Sequence, residues 1–317
     1  MEKELRIICP GVDITKEQRV ERLFSNISNW LFSSELSTLV ELFGGKINKE
    51  MPLKEIIEYL NDFVEVWDYR KIQADGGERW NIYDDEFVER NSSNIMSVVE
   101  KLGLKDITEP IISPDYILPL GGARMTNLIR PQYARAIADS NSLSKHCVVA
   151  LGGMRPINDI EKEAINTYAP NAVTEYDAIC AGLEQAFSLD QGKYNEDSYE
   201  NNNVNLSWAI RNYDGTDCYV VAAPSTSPSR RANSMDTFEF FLDKFDVKKG
   251  EKVLLVTSCI YVPFQFLKFM EIAIEKELVI DCVGTPYNSN NVLKPSNYLQ
   301  EIKATINAIK SLSNIYL

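Results

Sequence analysis

Histidine is almost absent from this sequence, in which His146 is the single histidine among 317 residues. That scarcity argues against a metal site built on histidines and against a Ser-His-Asp triad. The six cysteines are scattered along the chain, without any CxxC pair or zinc-type spacing. We therefore expect no bound metal, and we interpret the cysteines as buried free thiols in a reducing compartment.

Long apolar runs are also missing, since no segment approaches the roughly 18 apolar residues of a membrane-spanning helix. The apolar run at residues 7–10 is too short and too poorly flanked for a signal peptide. The net charge is −13, from 33 basic and 46 acidic residues, which disfavours nucleic acid and anionic membranes as partners. The expected location is the cytoplasm.

Arginine is missing from the last part of the chain, because none occurs after Arg231. The arginines cluster instead near two glycine turns and near one loop rich in serine, threonine and proline. In a chain that is acidic overall, an anion-binding pocket is the simplest reason for this clustering.

The two glycine turns share one pattern, which is an apolar run, a Gly-Gly pair, one further residue and then an arginine. The residues are Gly121, Gly122 and Arg124 in the first turn and Gly152, Gly153 and Arg155 in the second. The spacing between the turns fits a strand–helix–strand unit with residues 132–139 in the crossover helix. Adjacent parallel strands would bring both turns to the carboxyl edge of a sheet, where open α/β sheets bind ligands.

The chemistry of these turns allows two interpretations. Glycine lets backbone N–H groups approach an oxyanion, and the arginine that follows can add a bidentate contact. Alternatively, each turn is only a tight connection with a solvated arginine. Neither turn has the spacing of GxGxxG or of a Walker loop, so neither a dinucleotide fingerprint nor a nucleoside triphosphatase is predicted.

Apolar periodicity divides the chain into a helical N-terminal annex, residues 1–110, and an α/β domain, residues 111–317. In the second region, apolar runs alternate with helical segments, which indicates a Rossmann-like, mainly parallel sheet of about five strands with helices on both faces. The Asn-rich residues 188–206 are predicted to be a loose excursion or a disordered loop. Residues 67–80 are interpreted either as a ligand-facing loop or as a surface turn with packed tryptophans.

Further polar residues stand at predicted strand and helix ends. Glu175 opens a helix, where it either favours the helix dipole or acts on a ligand as an orienting group or general base. The loop after the third strand has hydroxyl groups and an arginine pair that suit a phosphate or carboxylate, although an ordinary helix cap also explains it. The loops after the third and fourth strands together provide six candidate ligand-binding residues, which are Ser225, Thr226, Arg230, Arg231, Thr257 and Ser258. Cys259 is interpreted as a packing residue, since no activating base is near in sequence.

The order of these motifs resembles the YdcF/SanA/ElyC-like family of bacterial α/β proteins. The matching segments are Leu120-Gly121-Gly122, Leu151-Gly152-Gly153, Glu175, Ser225-Thr226 and Val256-Thr257-Ser258. The leading helix with Trp30 is similar to the soluble, YdcF-type branch, and the chain is identified as a divergent member of it. The resemblance implies a Rossmann-like sheet with a polar pocket and a nucleotide-like ligand, with S-adenosylmethionine as the ligand associated with that branch.

These features predict a cytoplasmic protein that binds a small anionic or nucleotide-like molecule where the glycine turns meet the arginine-bearing loops. The glycines would supply backbone contacts, the arginines would bind the anion, and Glu175 would orient a sugar or amine. Two other classes stay open. One is a hydrolase or transferase acting on a phosphorylated or nucleotide-type substrate with Glu175 as general base, and the other is a non-catalytic interaction protein with a vestigial pocket.

Overall fold

The structure is a computed structural model that describes residues 5–73, 81–140, 146–286 and 293–317. The chain forms two compact units. One comprises Met1–Glu109, Cys259–Glu275 and Pro286–Leu317, and the other comprises Pro110–Ser258 and Lys276–Thr285. The predicted domain boundary near residue 110 stays a prediction. The first unit also includes two segments from later in the chain.

Helices account for much of the described chain. They are α1 (Lys16–Leu31), α2 (Ser34–Leu42), α3 (Leu53–Phe63), α4 (Tyr69–Ile72), α5 (Glu86–Val99), α6 (Thr126–Ser140), α7 (Asp159–Ile165), α8 (Glu175–Phe187), α9 (Ser234–Lys244), α10 (Val262–Glu275) and α11 (Pro295–Tyr316). Shorter helical turns occupy Val64–Trp67, Glu100–Leu104, Val204–Leu206 and Cys259–Tyr261.

The N-terminal region is helical, as predicted. Thr15 caps α1, because its side chain accepts from the N–H of Gln18 while the Gln18 side chain accepts from the N–H of Thr15. Trp30 is buried on the apolar face of α1, and its Nε1 donates to the carbonyl oxygen of Leu102 at 3.2 Å. Trp67 is fully buried and packs edge-on against aromatic rings, whereas residues 74–80 of the predicted loop lie outside the described residues.

One sheet of seven strands forms the core of the second unit. The strands are β1 (Tyr116–Pro119), β2 (Cys147–Gly152), β3 (Tyr194–Tyr199), β4 (Trp208–Tyr213), β5 (Cys218–Ala222), β6 (Lys252–Ser258) and β7 (Val279–Thr285), in the spatial order β3-β4-β5-β2-β1-β6-β7. The strands from β5 to β7 in that order are parallel. The mainly parallel α/β sheet is therefore confirmed, and so is the adjacency of β1 and β2.

The prediction of a loose excursion at residues 188–206 is wrong. Part of it forms β3, which pairs antiparallel with β4, and β4 pairs antiparallel with β5, so the sheet has seven strands rather than about five. Every residue of β3 is exposed. Backbone pairing with β4 holds β3 in its strand conformation, and β3 has no buried face. Its sequence therefore has no hydrophobic alternation that would indicate a strand.

Helices cover both faces of the sheet within this unit. One face packs on α6 and α8, through a core that includes Ile117, Val148 and Val220 of the strands with Ile137 and Leu183 of the helices. Adjacent strand residues point to the opposite face. There the rings of Tyr116 and Tyr219 meet Phe241 and Phe245 around α9 at centroid distances of 5.3 and 5.0 Å.

Candidate functional site

The carboxyl edge of the parallel strands contains a point at which the chain changes direction across the sheet. From β1 the chain adds β2 and β5 on one side, and later adds β6 and β7 on the other side of β1. Ligands of open α/β sheets bind at such a point, outside the carboxyl ends of the strands. Here it lies between the ends of β1 and β6, next to the first glycine turn.

The side chain of Arg130, from α6, lies across this point. Its Nη1 donates to the carbonyl oxygens of Leu120 and Gly121, each at 2.7 Å, and its Nη2 donates to Oγ of Ser258 at 3.2 Å. Arg130 is 5% exposed. It joins the ends of β1 and β6 and places a positive charge at the carboxyl edge. Arg130 is absent from the predicted site residues.

Internal hydrogen bonds hold the first glycine turn. The N–H of Gly121 donates to the carbonyl oxygen of Leu151 at 2.6 Å, and the N–H of Gly122 donates to Oδ1 of Asn127 at 2.9 Å. A side chain at Gly121 would collide with Oε1 of Glu175, 2.5 Å from the ideal Cβ position. The turn therefore lets Glu175 approach the end of β1. The predicted backbone contacts of these glycines with a ligand stay a prediction.

The second glycine turn brings α8 against the end of β2. A Cβ atom at Gly152 would lie 2.8 Å from Cγ2 of Ile179, and the carbonyl oxygen of Gly153 accepts from the N–H of Tyr176 at 2.9 Å. Thr174 caps α8, since its side chain accepts from the third N–H of the helix. These contacts direct the first turn of α8 toward the carboxyl edge.

A cap segment, defined as residues 154–174, leaves the sheet after this turn and returns at α8. Arg155 donates through Nη1 and Nη2 to the two carboxylate oxygens of Glu161 at 2.7 and 2.8 Å. Its Nε donates to Glu175 at 3.1 Å, and its side chain is 19% exposed. Arg155 is therefore not a solvated side chain. It links α7, which carries Glu161, to the start of α8.

The two carboxyl groups that share Arg155 have opposite pKa shifts. Burial raises the pKa of Glu161, but hydrogen bonds from Arg155 and from the N–H of Asn158 outweigh it, so the pKa lies below its usual range. Burial raises the pKa of Glu175, and the nearby guanidinium groups of Arg155 and Arg130 offset only part of that rise. The cluster thus holds one firmly ionised carboxylate and one carboxyl that keeps its proton to higher pH.

Replacement of Glu175 by glutamine tests this assignment. Because the pKa of Glu175 is higher in the folded chain than in the unfolded chain, protonation of Glu175 stabilises the fold. This contribution is fully present below the unfolded pKa, near 4.5, and is lost as the pH rises through the native pKa. Glutamine does not titrate, so the stability of the variant does not fall with pH in this way. We therefore expect its free energy of unfolding to rise relative to that of the native chain between about pH 5 and pH 8. Urea unfolding across this range measures the difference.

Glu163→Gln is the matched control, because Glu163 is exposed on α7, the helix that also carries Glu161. We expect its effect to vary with pH by less than about 0.5 kcal/mol. A Glu175→Gln difference that stays constant, or that falls as the pH rises, contradicts the raised pKa.

Arg124 ends the first glycine turn. Its backbone is in the left-handed region, with φ of 56°, and its carbonyl oxygen accepts from Oη of Tyr168 in the cap segment at 3.0 Å. Its positive charge helps to lower the pKa of Glu161. Arg155 therefore acts on both Glu161 and Glu175, whereas Arg124 acts on Glu161 and Arg130 acts on Glu175.

In the loop after β5, the arginine side chain of Arg230 binds a carboxylate of the chain itself, that of Asp236. Arg230 pairs with both oxygens of Asp236, with Nη2 3.0 Å from Oδ1, and it donates to Oγ1 of Thr226 at 2.7 Å. Burial raises the pKa of Asp236, but hydrogen bonds from Arg230, from the N–H of Asn233 and from Thr226 lower it to about 2. Asp236 thus occupies the position that the sequence suggests for a ligand anion.

The predicted ligand residues fall into three groups. Ser225 is buried and Arg231 is exposed in the loop closed by Arg230. Thr257 is fully buried and points to the sheet face opposite Ser258, while the Cys259 side chain is buried. The residues that meet at the ends of β1, β2 and β6 are Gly121, Gly122, Arg124, Gly152, Gly153, Arg155, Glu175 and Ser258, joined by Arg130 and Glu161.

Within the ranges that the structure describes, no group of three His, Cys, Asp or Glu side chains is arranged to hold a metal ion. None of the described helices is long and apolar enough to cross a membrane.

Comparison with known proteins gives a match outside the predicted family. A family model described as the Rv3785 N-terminal domain matches residues 15–103. Uncharacterized protein Rv3785 of Mycobacterium tuberculosis is 27% identical over 338 aligned residues, covering 97% of this chain and 94% of its own. Uncharacterized protein Mb3814 of Mycobacterium bovis matches to the same extent. No solved structure matches the chain.

The resemblance to the YdcF/SanA/ElyC-like family is therefore wrong, because the matches are to Rv3785 and its relatives. The motifs behind it were strand-end glycines, a helix-opening glutamate and hydroxyl-rich loops. Such features follow from the geometry of any parallel sheet flanked by helices, so they identify a fold class and not a family. S-adenosylmethionine, which depended on that resemblance, loses its support.

Proposed function

We propose that this protein binds a small anionic molecule at the carboxyl edge of its sheet, beside the first glycine turn and the cap segment. The observation that carries the proposal is a local excess of positive charge. Three guanidinium groups, those of Arg124, Arg130 and Arg155, are coupled to two carboxyl groups, Glu161 and Glu175. A bound anion would balance this excess.

The excess is notable because the chain as a whole carries a net charge of −13. With both carboxyl groups ionised, the cluster carries one positive charge more than negative ones. The raised pKa of Glu175 increases this excess whenever that carboxyl is protonated. A concentrated positive charge in an acidic protein attracts anions to one place on its surface.

The hydrogen bonds of Arg130 favour a small anion over a larger, nucleotide-like molecule. In open α/β sheets, nucleotides extend across the crevice at the point where the strand order reverses. Here Arg130 spans the ends of β1 and β6 through three hydrogen bonds. The anion would therefore bind on the side of β1 that faces β2, near Arg124 and Glu175.

A catalytic role is the second candidate, and the raised pKa of Glu175 favours it. A carboxyl that keeps its proton to higher pH can serve as a general acid, and as a general base once it is ionised. The substrate would be a phosphorylated or similar anionic molecule whose reacting group lies beside Oε1 of Glu175. Loss of turnover in Glu175→Gln, with anion binding preserved, would separate this candidate from binding alone.

The proposal places this activity in the cytoplasm. The six cysteines form no disulfide with one another and four of them are buried, which is usual for proteins of a reducing compartment. Small phosphorylated metabolites and inorganic phosphate are abundant anions of that kind of environment, and both would suit guanidinium recognition.

Native mass spectrometry and thermal unfolding test the proposal. Freshly purified full chain is examined for a co-purified small anion and then heated with phosphate, pyrophosphate, sugar phosphates or nucleotides. We expect at least one anion to raise Tm, because a ligand at 100 times its Kd adds about 2.7 kcal/mol of stability. We expect a smaller rise in Tm for Arg124→Gly at the same anion concentration.

Two results would contradict the proposed anion binding. The absence of both a co-purified anion and any Tm rise would leave an interaction protein with a vestigial pocket as the better interpretation. An equal Tm rise in the native chain and in Arg124→Gly would place the anion elsewhere.

A further inference from the structure

The backbone of Arg124 is unusual among the described residues. Four non-glycine residues have a positive φ, and these are Arg124, Ser188, Asp246 and Glu277. The last three follow the ends of α8, α9 and α10, where a left-handed residue commonly terminates a helix. Arg124 instead lies between β1 and the start of α6. The usual helix-end explanation therefore does not apply to it.

The turn around Arg124 is held from the α6 side. Oγ1 of Thr126 donates to the carbonyl oxygen of Ala123 at 2.6 Å, and Oδ1 of Asn127 accepts from the N–H of Gly122 at 2.9 Å. These bonds fix the residues on both sides of the Arg124 peptide. The carbonyl oxygen of Arg124 itself has a partner outside α6.

That partner is Tyr168 of the cap segment. Its hydroxyl donates to the carbonyl oxygen of Arg124 at 3.0 Å, across 44 residues of sequence. Burial raises the pKa of Tyr168, so its hydroxyl stays protonated and remains a donor at physiological pH. Within the cap segment, the ring packs against a small core formed by Ile157, Ile165, Ala169 and Ala172.

We propose that Tyr168 is a positioning residue for anion binding, and that it acts by holding Arg124 in its left-handed conformation. This inference rests on the proposed function, since it assumes that Arg124 contacts the anion. With the carbonyl fixed, the Arg124 guanidinium stays near Glu161 and hence on the cap side of the turn. Without the Tyr168 hydroxyl, the arginine would lose orientation before binding and the anion affinity would fall.

The test is the affinity of the full chain for pyrophosphate and for inorganic phosphate, measured by calorimetry in Tyr168→Phe. This variant keeps the ring and removes only the hydroxyl. Loss of one positioning hydrogen bond predicts a Kd about 5- to 10-fold higher than that of the native chain. The matched control is Tyr213→Phe, which removes a hydroxyl bonded to Glu184 at 2.8 Å in the same unit.

Comparison with the control separates positioning from stability. We expect Tyr213→Phe to bind both anions like the native chain, and Tyr168→Phe to lower Tm no more than Tyr213→Phe does. Unchanged affinity in Tyr168→Phe overturns the inference while leaving the proposed function intact. If the native chain binds neither probe, the proposed function fails instead, and the inference fails with it.

Discussion

Replacing Gly182 by alanine is expected to lower the free energy of unfolding by about 3 kcal/mol or more. Gly182 is in the middle of α8, where alanine would ordinarily gain about 1 kcal/mol of helix propensity. The added methyl group would lie 1.8 Å from the carbonyl oxygen of Asn127 and 2.8 Å from its carbonyl carbon. Because these are backbone atoms of α6, no rotamer change can relieve the overlap, and the two helices must separate.

The control for this variant is Gly192→Ala. A Cβ atom at Gly192 meets only Oδ1 of Asp190, at an ordinary contact distance of 3.6 Å. Its effect should stay within about 0.5 kcal/mol in urea unfolding. Equal stability of the two variants would show that α6 and α8 are not packed as described. Separation of the helices should also displace Arg130, so anion binding is expected to fall together with stability.

Arg155→Met is expected to destabilise the chain by about 3–5 kcal/mol at pH 7 to 8. The substitution removes the partner of Glu161, whose side chain is 3% exposed, and one partner of Glu175. Buried carboxylates that lose their hydrogen-bonded counter-charge are costly, whereas methionine fills much of the same volume. Urea unfolding of the native chain and the variant gives the difference directly.

The pH dependence of this penalty has a defined sign. Glu161 has a lowered native pKa, so its contribution is present above about pH 4.5 and is lost as the pH falls through the native value. The cost of Arg155→Met should therefore shrink toward pH 4, as the stranded carboxyl groups take up protons. The double variant Arg155→Met with Glu161→Gln should recover part of the loss at pH 7, because it removes one of the unpaired charges.

A surface ion pair provides the comparison. Arg90 pairs with Glu86 one helical turn away, and both side chains are more than half exposed, at 69% and 84%. Arg90→Met should change stability by less than about 0.5 kcal/mol. A loss in Arg155→Met no larger than this would mean that the cluster at the carboxyl edge contributes nothing as a unit.

The sequence was sufficient to predict the elements that place the site, but not the partners of its charges. The adjacency of β1 and β2 and the cap of α8 at Thr174 follow from apolar runs, strand spacing and local capping chemistry. The pairing of Arg155 with Glu161 depends on how the cap segment folds back, which local patterns do not encode. The capping box at the start of α7, where Glu161 is the third residue, is the local signal that marks this carboxylate.

Arg130 and Gly182 were also recognisable in principle. The buried positions of α6 include Asn127, Arg130, Ala134 and Ile137, so helical periodicity places Arg130 on the inward face. A glycine inside a helical pattern such as Gly182 marks close approach of another backbone. The hairpin of β3 and β4 gave no such signal, since the exposed residues of β3 have no apolar alternation.

The most direct measurement is calorimetric titration of the full chain with pyrophosphate at pH 7 and low salt, in the native chain and in Arg124→Gly. Glycine relieves the left-handed backbone at this position, so the variant should be as stable as the native chain or more so. We predict one bound pyrophosphate per native chain and at least about tenfold weaker binding in the variant, the effect of losing one charged contact. Equal affinity of both proteins, or no binding by the native chain, would contradict it.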